Sequence, residues 1–216
     1  MALSKIDELN NYEYIYTDLE IEKILNEYFS VMDISESQKE KRIQAANDFR
    51  NVLLFLFTLV ATAYEFDYFT PDYILEQFRI EYAKVLLDYA TIDGYAEEYF
   101  RKTTKSIVDT TLENINLKEK DYWTSDERAI TIAENEANGI MNYAELQDAI
   151  DNGMTFKEWR AEIDLATRAD HRWINGKKIP IEEYFQFPDC EMIAPHDEVN
   201  GTAKQTVNCR CALKFS

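Results

Sequence analysis

Both histidines and all three cysteines of the chain fall in its last quarter, in the order His171, Cys190, His196, Cys209, Cys211. Thiolate and imidazole are the ligands zinc prefers, and a small region poor in regular structure gains stability from an ion that closes its loops. A structural zinc site is therefore one expectation. The spacing of Cys209 and Cys211 works against it if that segment is an extended strand, because alternate residues then lie about 6 to 7 Å apart. Zinc–sulfur bonds near 2.3 Å in a tetrahedron need sulfurs closer than about 4 Å. Only a bent Cys-Arg-Cys segment can chelate; a straight one leaves both thiols to pack as small hydrophobic groups.

Upstream, Asp164, Arg168, Asp170, His171 and Arg172 form a mixed-charge cluster with Trp159 and Trp173 nearby. A nuclease or transferase uses such groups, histidine as general base and arginine to hold phosphate. The competing expectation, and the favoured one, is a network of ion pairs and stacked rings that orders a loop-rich region. Cys–His nucleophilic catalysis has less support, since no nucleophile signature surrounds any of the cysteines. Glu136 lies four residues after Ile132 and four before Ile140, on the apolar stripe of a helix. A carboxylate there needs a partner, and Arg168 and Arg210 are the expected ones. The expected structural network is thus Glu136, Trp159, Asp164, Arg168 and Arg210.

Those residues have to be positioned by a chain that reads as helix-rich. Hydrophobic residues make up 46% of it and aromatics 13%, with only five glycines and four prolines, which is the composition of an ordered protein. Thr17 with Glu20, Ser35 with Gln38 and Thr124 with Glu127 have capping-box spacing. Thr70-Pro71 places a capping residue before a proline suited to the first helical position. Ile21, Ile24, Leu25, Tyr28, Phe29 and Met32 keep helical spacing after the first signal, as do Ile74, Phe78, Tyr82, Val85 and Tyr89 after Pro71.

The segment from Glu36 to Phe66 is apolar nearly all round in its second half and is the expected centre of an N-terminal bundle. Its most apolar part, Val52 to Tyr64, falls short of the roughly 20 residues of a membrane span, so it is expected to be a core helix. A helix from Tyr95 to about Asn116 should turn Phe100, Ile107, Val108 and Leu112 inward. A charged connector, Leu117 to Asp121, should follow, then a helix from Ser125 to Ile150 closed by a left-handed Gly153. Beyond Thr155, prolines and glycines punctuate short apolar pieces that read as strands, among them Lys178 to Ile181, Cys190 to Ile193 and Cys209 to Phe215. The fold class is α+β: a mainly helical N-terminal region, then a long helix packed on a small irregular β region.

The formal charge of −18 repels a phosphate backbone, so nucleic acid is an unfavoured partner. Met1 to Asn10 lack the basic start and apolar run of a secretory signal, which implies synthesis in the cytoplasm. No membrane association is expected, and an odd number of cysteines there makes no disulfide framework.

Asp109-Thr110-Thr111-Leu112, Ser125-Asp126-Glu127-Arg128-Ala129, Ile132-Ala133-Glu134-Asn135-Glu136, Asn142-Tyr143, Gly153, Trp159, Arg168 with His171, Gly176, Phe185, Met192, Pro195, Asp197 and Asn208-Cys209-Arg210-Cys211 are, in series, similar to the phage Mu-type head morphogenesis family. The resemblance implies a division into a helical region, 1–108, and a minor head protein domain, 109–216. It implies a non-enzymatic virion component of low copy number, made in the host bacterial cytoplasm and associated with the portal or capsid proteins; the apolar faces of the N-terminal helices, which carry none of the family's marks, leave those helices available for self-association. His171, Cys209 and Cys211 are family positions and form the candidate metal set; Cys190 and His196 are not. This chain departs from the family at Glu134-Asn135-Glu136, where Arg-Thr-Glu is frequent. Two other functions stay open, a zinc-stabilised interaction module and a phage-borne effector enzyme of nuclease or ADP-ribosyl transferase type. Some relatives carry toxin domains after this one, and with five residues beyond Cys211 no such domain is expected here.

Overall fold

The computed structural model of the protein describes residues 16–115 and 120–216. Four long helices come first: α1 (Asp18–Ser30), α2 (Glu36–Phe66), α3 (Pro71–Tyr89) and α4 (Gly94–Asn114). A single turn, α5 (Lys120–Trp123), leads into α6 (Asp126–Asp151). Then come β1 (Phe156–Arg160), α7 (Ala169–Ile174), β2 (Lys178–Pro180), β3 (Phe185–Gln186), β4 (Glu191–Met192), α8 (Ala203–Thr206) and β5 (Ala212–Phe215). The fold is mainly helical α+β.

The helix starts follow local side-chain chemistry. Thr17 with Glu20 and Ser35 with Gln38 close reciprocal capping boxes, and Thr70 caps α3 with Pro71 behind it. At α6 the cap is Ser125, whose hydroxyl accepts from the Arg128 N–H, rather than the expected Thr124. Only Thr124 has a glutamate three residues on; Ser125 caps without a reciprocal box and leaves Arg128 turned inward on the helix. Asp93 caps α4, so that helix begins at Gly94, and it continues across position 109 without a break. Most of the charged connector lies outside the described residues, and its end forms α5.

α2 is the hub. It packs on α1, α3, α4 and α6, and its buried face includes Phe49, Leu53, Leu56, Phe57 and Val60. By length and composition alone this helix of 31 residues passes for a membrane span, longer than the apolar stretch suggested. Here its apolar surface is shared among four neighbouring helices. α6 forms a common wall. Its Ala129, Ile130, Ala133, Ala137 and Ile140 belong to the helical core, while Leu146 and Ala149 belong to a second core built from the β region.

In that second core, β1 is the central strand of an antiparallel sheet ordered β2-β1-β5, with β3 and β4 as a separate hairpin. Lys157 pairs with Ile179 on one side and Phe215 on the other; Trp159 pairs with Leu213. β1 was not among the expected strands. Its pleat puts Lys157 and Trp159 inside, both fully buried, and leaves Phe156 partly in solvent, so the usual apolar alternation is inverted at the start of the strand. The buried ammonium donates to the Ile193 carbonyl at 2.8 Å and lies over the Phe185 ring. Burial first, opposed by Asp197 and Glu183, pulls its pKa down to about 8.

Candidate metal centre and the network that holds it

The Cys-Arg-Cys segment is bent. β5 begins only at Ala212, and Asn208 just before the segment takes a left-handed backbone angle of 55°. An asparagine tolerates that region better than most residues. The bend brings together the three side chains that a straight strand would separate. His171, Cys209 and Cys211 are all buried, and their ligand atoms lie within 4.8 Å of one another. His171 Nδ1 is 3.3 Å from the Cys211 sulfur and 3.6 Å from that of Cys209. Cys190 and His196 stand apart from this cluster; the His196 ring meets the carbonyl of Cys209 instead.

Every approach to the cluster is braced. His171 rises from the short helix α7 and is packed edge-on against Trp159, 5.6 Å between ring centroids, with Phe187 on another side. Its Nε2 faces Gln205 Oε1 at 3.1 Å, and the amide of Gln205 donates to Asp170 and Asp189. An amide oxygen accepts only, so Nε2 carries the proton and Nδ1 turns a lone pair toward the sulfurs. Gln205 itself is fully buried. The two thiols titrate against each other. Burial opposes ionisation of Cys209, yet Cys211 and His171 hold its pKa well below the usual thiol range. Burial, then the neighbouring Cys209, pushes Cys211 well above it.

The backbone of the segment is held from α6. Asn138 Nδ2 donates to the carbonyls of Cys209 and Cys211 at 3.0 and 3.2 Å, and Asn142 Nδ2 donates to Cys211 at 3.1 Å. Asn138 Oδ1 accepts from Arg42 of α2 at 3.0 Å. Arg42 is fully buried and makes a two-pronged pair with Glu145, at 2.6 and 3.0 Å. Arg42, Asn138 and Asn142 were not among the candidate residues. Their chemistry appears only once α2 and α6 are packed together.

The expected network residues divide. Trp159 is buried beneath His171, while Asp164, Arg168 and Arg210 border a cleft above it. Asp164 accepts from Arg210 and from the Thr167 hydroxyl, which hold its carboxyl down to about 2, the arginine contributing most. Arg168 donates to the Val207 carbonyl and Arg172 to that of Asp164. Glu136 is elsewhere and meets neither Arg168 nor Arg210. Tyr82 of α3 and Tyr99 of α4 both donate to its Oε2, the latter at 2.8 Å. Two phenols on adjacent helices satisfy the carboxylate from the helical side, so the anchor runs toward the N-terminal helices. Burial raises its pKa to about 7 against the pull of those hydrogen bonds.

A cavity of about 20 Å³ touches all three members of the cluster and is walled by Thr167, Arg168 and Arg210. That is room for about one water or one small ion. Above it the cleft is closed on one side by Tyr28 of α1, whose buried hydroxyl has no hydrogen-bond partner among the described residues. The N-terminal helices thus contribute directly to the surroundings of the site.

Comparison with known proteins places this region. A family model described as phage Mu protein F like protein matches residues 93–214, from the cap of α4 to the last strand. A protein of Enterococcus faecalis (strain ATCC 700802 / V583), described as NAD(+)–arginine ADP-ribosyltransferase EFV, is 28% identical over 127 residues. The match takes in 54% of this chain and 26% of that protein, so the chain spans about a quarter of the relative's length. No solved structure matches.

Proposed function

The chain belongs to the phage Mu protein F-like family, and from that premise we propose that it is a minor head protein, a non-enzymatic virion component acting in head assembly beside the portal or inner capsid. The family match over residues 93–214 carries this reading. The physical character of the molecule agrees with it. α1 to α3 are packed onto the family region through α2 and α6, giving an acidic body suited to protein partners. The charge of −18 disfavours contact with packaged DNA at ordinary salt.

The test is cosedimentation of the full chain with portal oligomers and with proheads assembled in its presence or absence. Retention on the portal or in proheads is expected. A protein that sediments alone under both conditions would overturn the reading.

The likeness to the Enterococcus faecalis protein favours one alternative, an effector that transfers ADP-ribose from NAD to arginine. Incubation with labelled NAD and an arginine-containing acceptor separates the two. Label on the acceptor would establish the effector; label left on NAD, with portal association intact, leaves the head protein.

A further inference from the structure

We propose that His171 Nδ1, Cys209 Sγ and Cys211 Sγ bind one zinc ion through three protein ligands, with the fourth coordination position turned into the cavity walled by Thr167, Arg168 and Arg210. Tetrahedral zinc with bonds near 2.3 Å to sulfur and 2.0 to 2.1 Å to nitrogen sets ligand atoms about 3.6 Å apart. His171 Nδ1 stands 3.3 and 3.6 Å from the two sulfurs, and all three atoms fall within 4.8 Å. The donor types are those zinc selects, and two thiolates with one neutral imidazole cancel the charge of a divalent ion. A buried site can hold that ion without a further counter-charge.

The surroundings point the same way. A ligating histidine ordinarily gives its other ring N–H to an oriented acceptor, which fixes the tautomer. Gln205 supplies that acceptor and is itself locked by two carboxylates, Asp170 and Asp189. Asn138 and Asn142 fix the carbonyls on either side of Arg210, so the bend that converges the sulfurs is built into the fold. Trp159, fully buried, packs edge-on against His171 and holds the ring that presents Nδ1 to the sulfurs. Three ligands with a water-sized space beside them make an open site, one that admits water or a small ligand at the metal. The inference stands whether or not the chain is a head protein.

The reduced full-length protein is equilibrated with Zn²⁺, desalted, and assayed for metal, beside Cys211→Ser and Gln205→Leu variants. One retained zinc per chain is expected in the wild type and none in Cys211→Ser. Gln205→Leu keeps all three ligands and should bind about 10–100-fold more weakly. In the wild type, Co²⁺ in place of zinc should give thiolate-to-cobalt charge-transfer absorption, a readout that holds even if Cys211→Ser fails to fold. No retained zinc in the folded wild type, or cobalt bound without that absorption, would overturn the proposal.

Discussion

Arg42 Nε donates to Asn138 Oδ1 at 3.0 Å, across the packed faces of α2 and α6 and 96 residues apart in the chain. The same guanidinium grips Glu145 with both terminal nitrogens, so one buried cation ties the N-terminal hub to the helix that holds the histidine–cysteine cluster. Replacement by methionine keeps much of the apolar stem but strands the Glu145 carboxylate and the Asn142 oxygen, and leaves the Asn138 oxygen only its bond from Asn142. Breaking a buried, hydrogen-bonded pair from one side costs about 3–5 kcal/mol. Urea unfolding of Arg42→Met should show a loss of that size in midpoint-derived stability. Arg42→Lys should recover only part of it, since an ammonium cannot reproduce the two-pronged geometry. Equal stability of the methionine variant and wild type would mean that the pair contributes nothing.

Asn138 has all its hydrogen-bonding capacity engaged: its oxygen accepts from Arg42 and Asn142, and its amide donates to Cys209 and Cys211. Asn138→Ala should destabilise the fold by about 1–3 kcal/mol, the cost of leaving such groups unmade. Its more specific effect is on the bend. With two backbone ties removed, Cys209 and Cys211 should react faster with an aromatic disulfide reagent under native conditions. The Asn142→Ala variant, which removes one of the two bonds to the Cys211 carbonyl and none to Cys209, should show a smaller acceleration. Unchanged thiol reactivity in both variants would show that the segment keeps its shape without α6.

The helices were legible in the sequence because their signals are local. Thr17 with Glu20 and Ser35 with Gln38 each lie within one turn, and the physics that reads them is the physics that forms them. Gly153 ends α6 in the left-handed conformation expected of it. The cysteine–histidine cluster was partly legible: the ligand set could be named, but whether Cys209 and Cys211 converge depends on a bend imposed by Asn138 and Asn142, far away in sequence. β1 was hidden because Lys157 occupies an inward position that a pattern of alternating apolar residues assigns to solvent. Arg42 was hidden for a similar reason. In Glu-Lys-Arg-Ile-Gln it reads as one of several surface charges, and only the packing of α6 makes it interior. Glu136 was marked correctly as a buried carboxylate, but nothing in the sequence pairs it with Tyr82 and Tyr99 on two other helices.

Gly201 sits where a side chain has no room. A Cβ there would lie 2.5 Å from the Asp197 carbonyl oxygen, 2.8 Å from the Met192 sulfur and 2.9 Å from a Thr206 methyl. The first of these is backbone in a turn already pinned by the Asp197 carboxylate, which accepts from the amides of Ile193, Val199 and Asn200. Gly201→Ala should therefore lower stability by about 1–3 kcal/mol, the range for forced overpacking. Gly94 serves as the control, since a Cβ there meets nothing within 4 Å at the start of α4. Gly94→Ala should be neutral or stabilising by up to about 1 kcal/mol. Thermal unfolding of the two variants should move in opposite directions or leave Gly94→Ala unmoved.

Glu134 gives the fold a pH dependence of definite sign. Burial alone raises its carboxyl from 4.5 to about 8, with no hydrogen bond or cation among the described residues to offset it. Glu136, raised to about 7, acts in the same direction. A carboxyl that ionises more readily in the unfolded chain than in the folded one costs nothing below its unfolded pKa. As the pH rises the unfolded state loses its proton first, so stability falls until the folded group also ionises. Asp164, held down at about 2, changes stability only at lower pH, so the windows do not overlap. Glu134→Gln should match wild type below about pH 4.5 and become progressively more stable than it up to pH 8. The gain at pH 7 should be at most about 3 kcal/mol, less whatever the unpaired amide itself costs. Urea unfolding of both proteins at pH 4.5, 6, 7 and 8 checks this. A stability difference that stays constant across the series would place the Glu134 carboxylate in water in the folded protein.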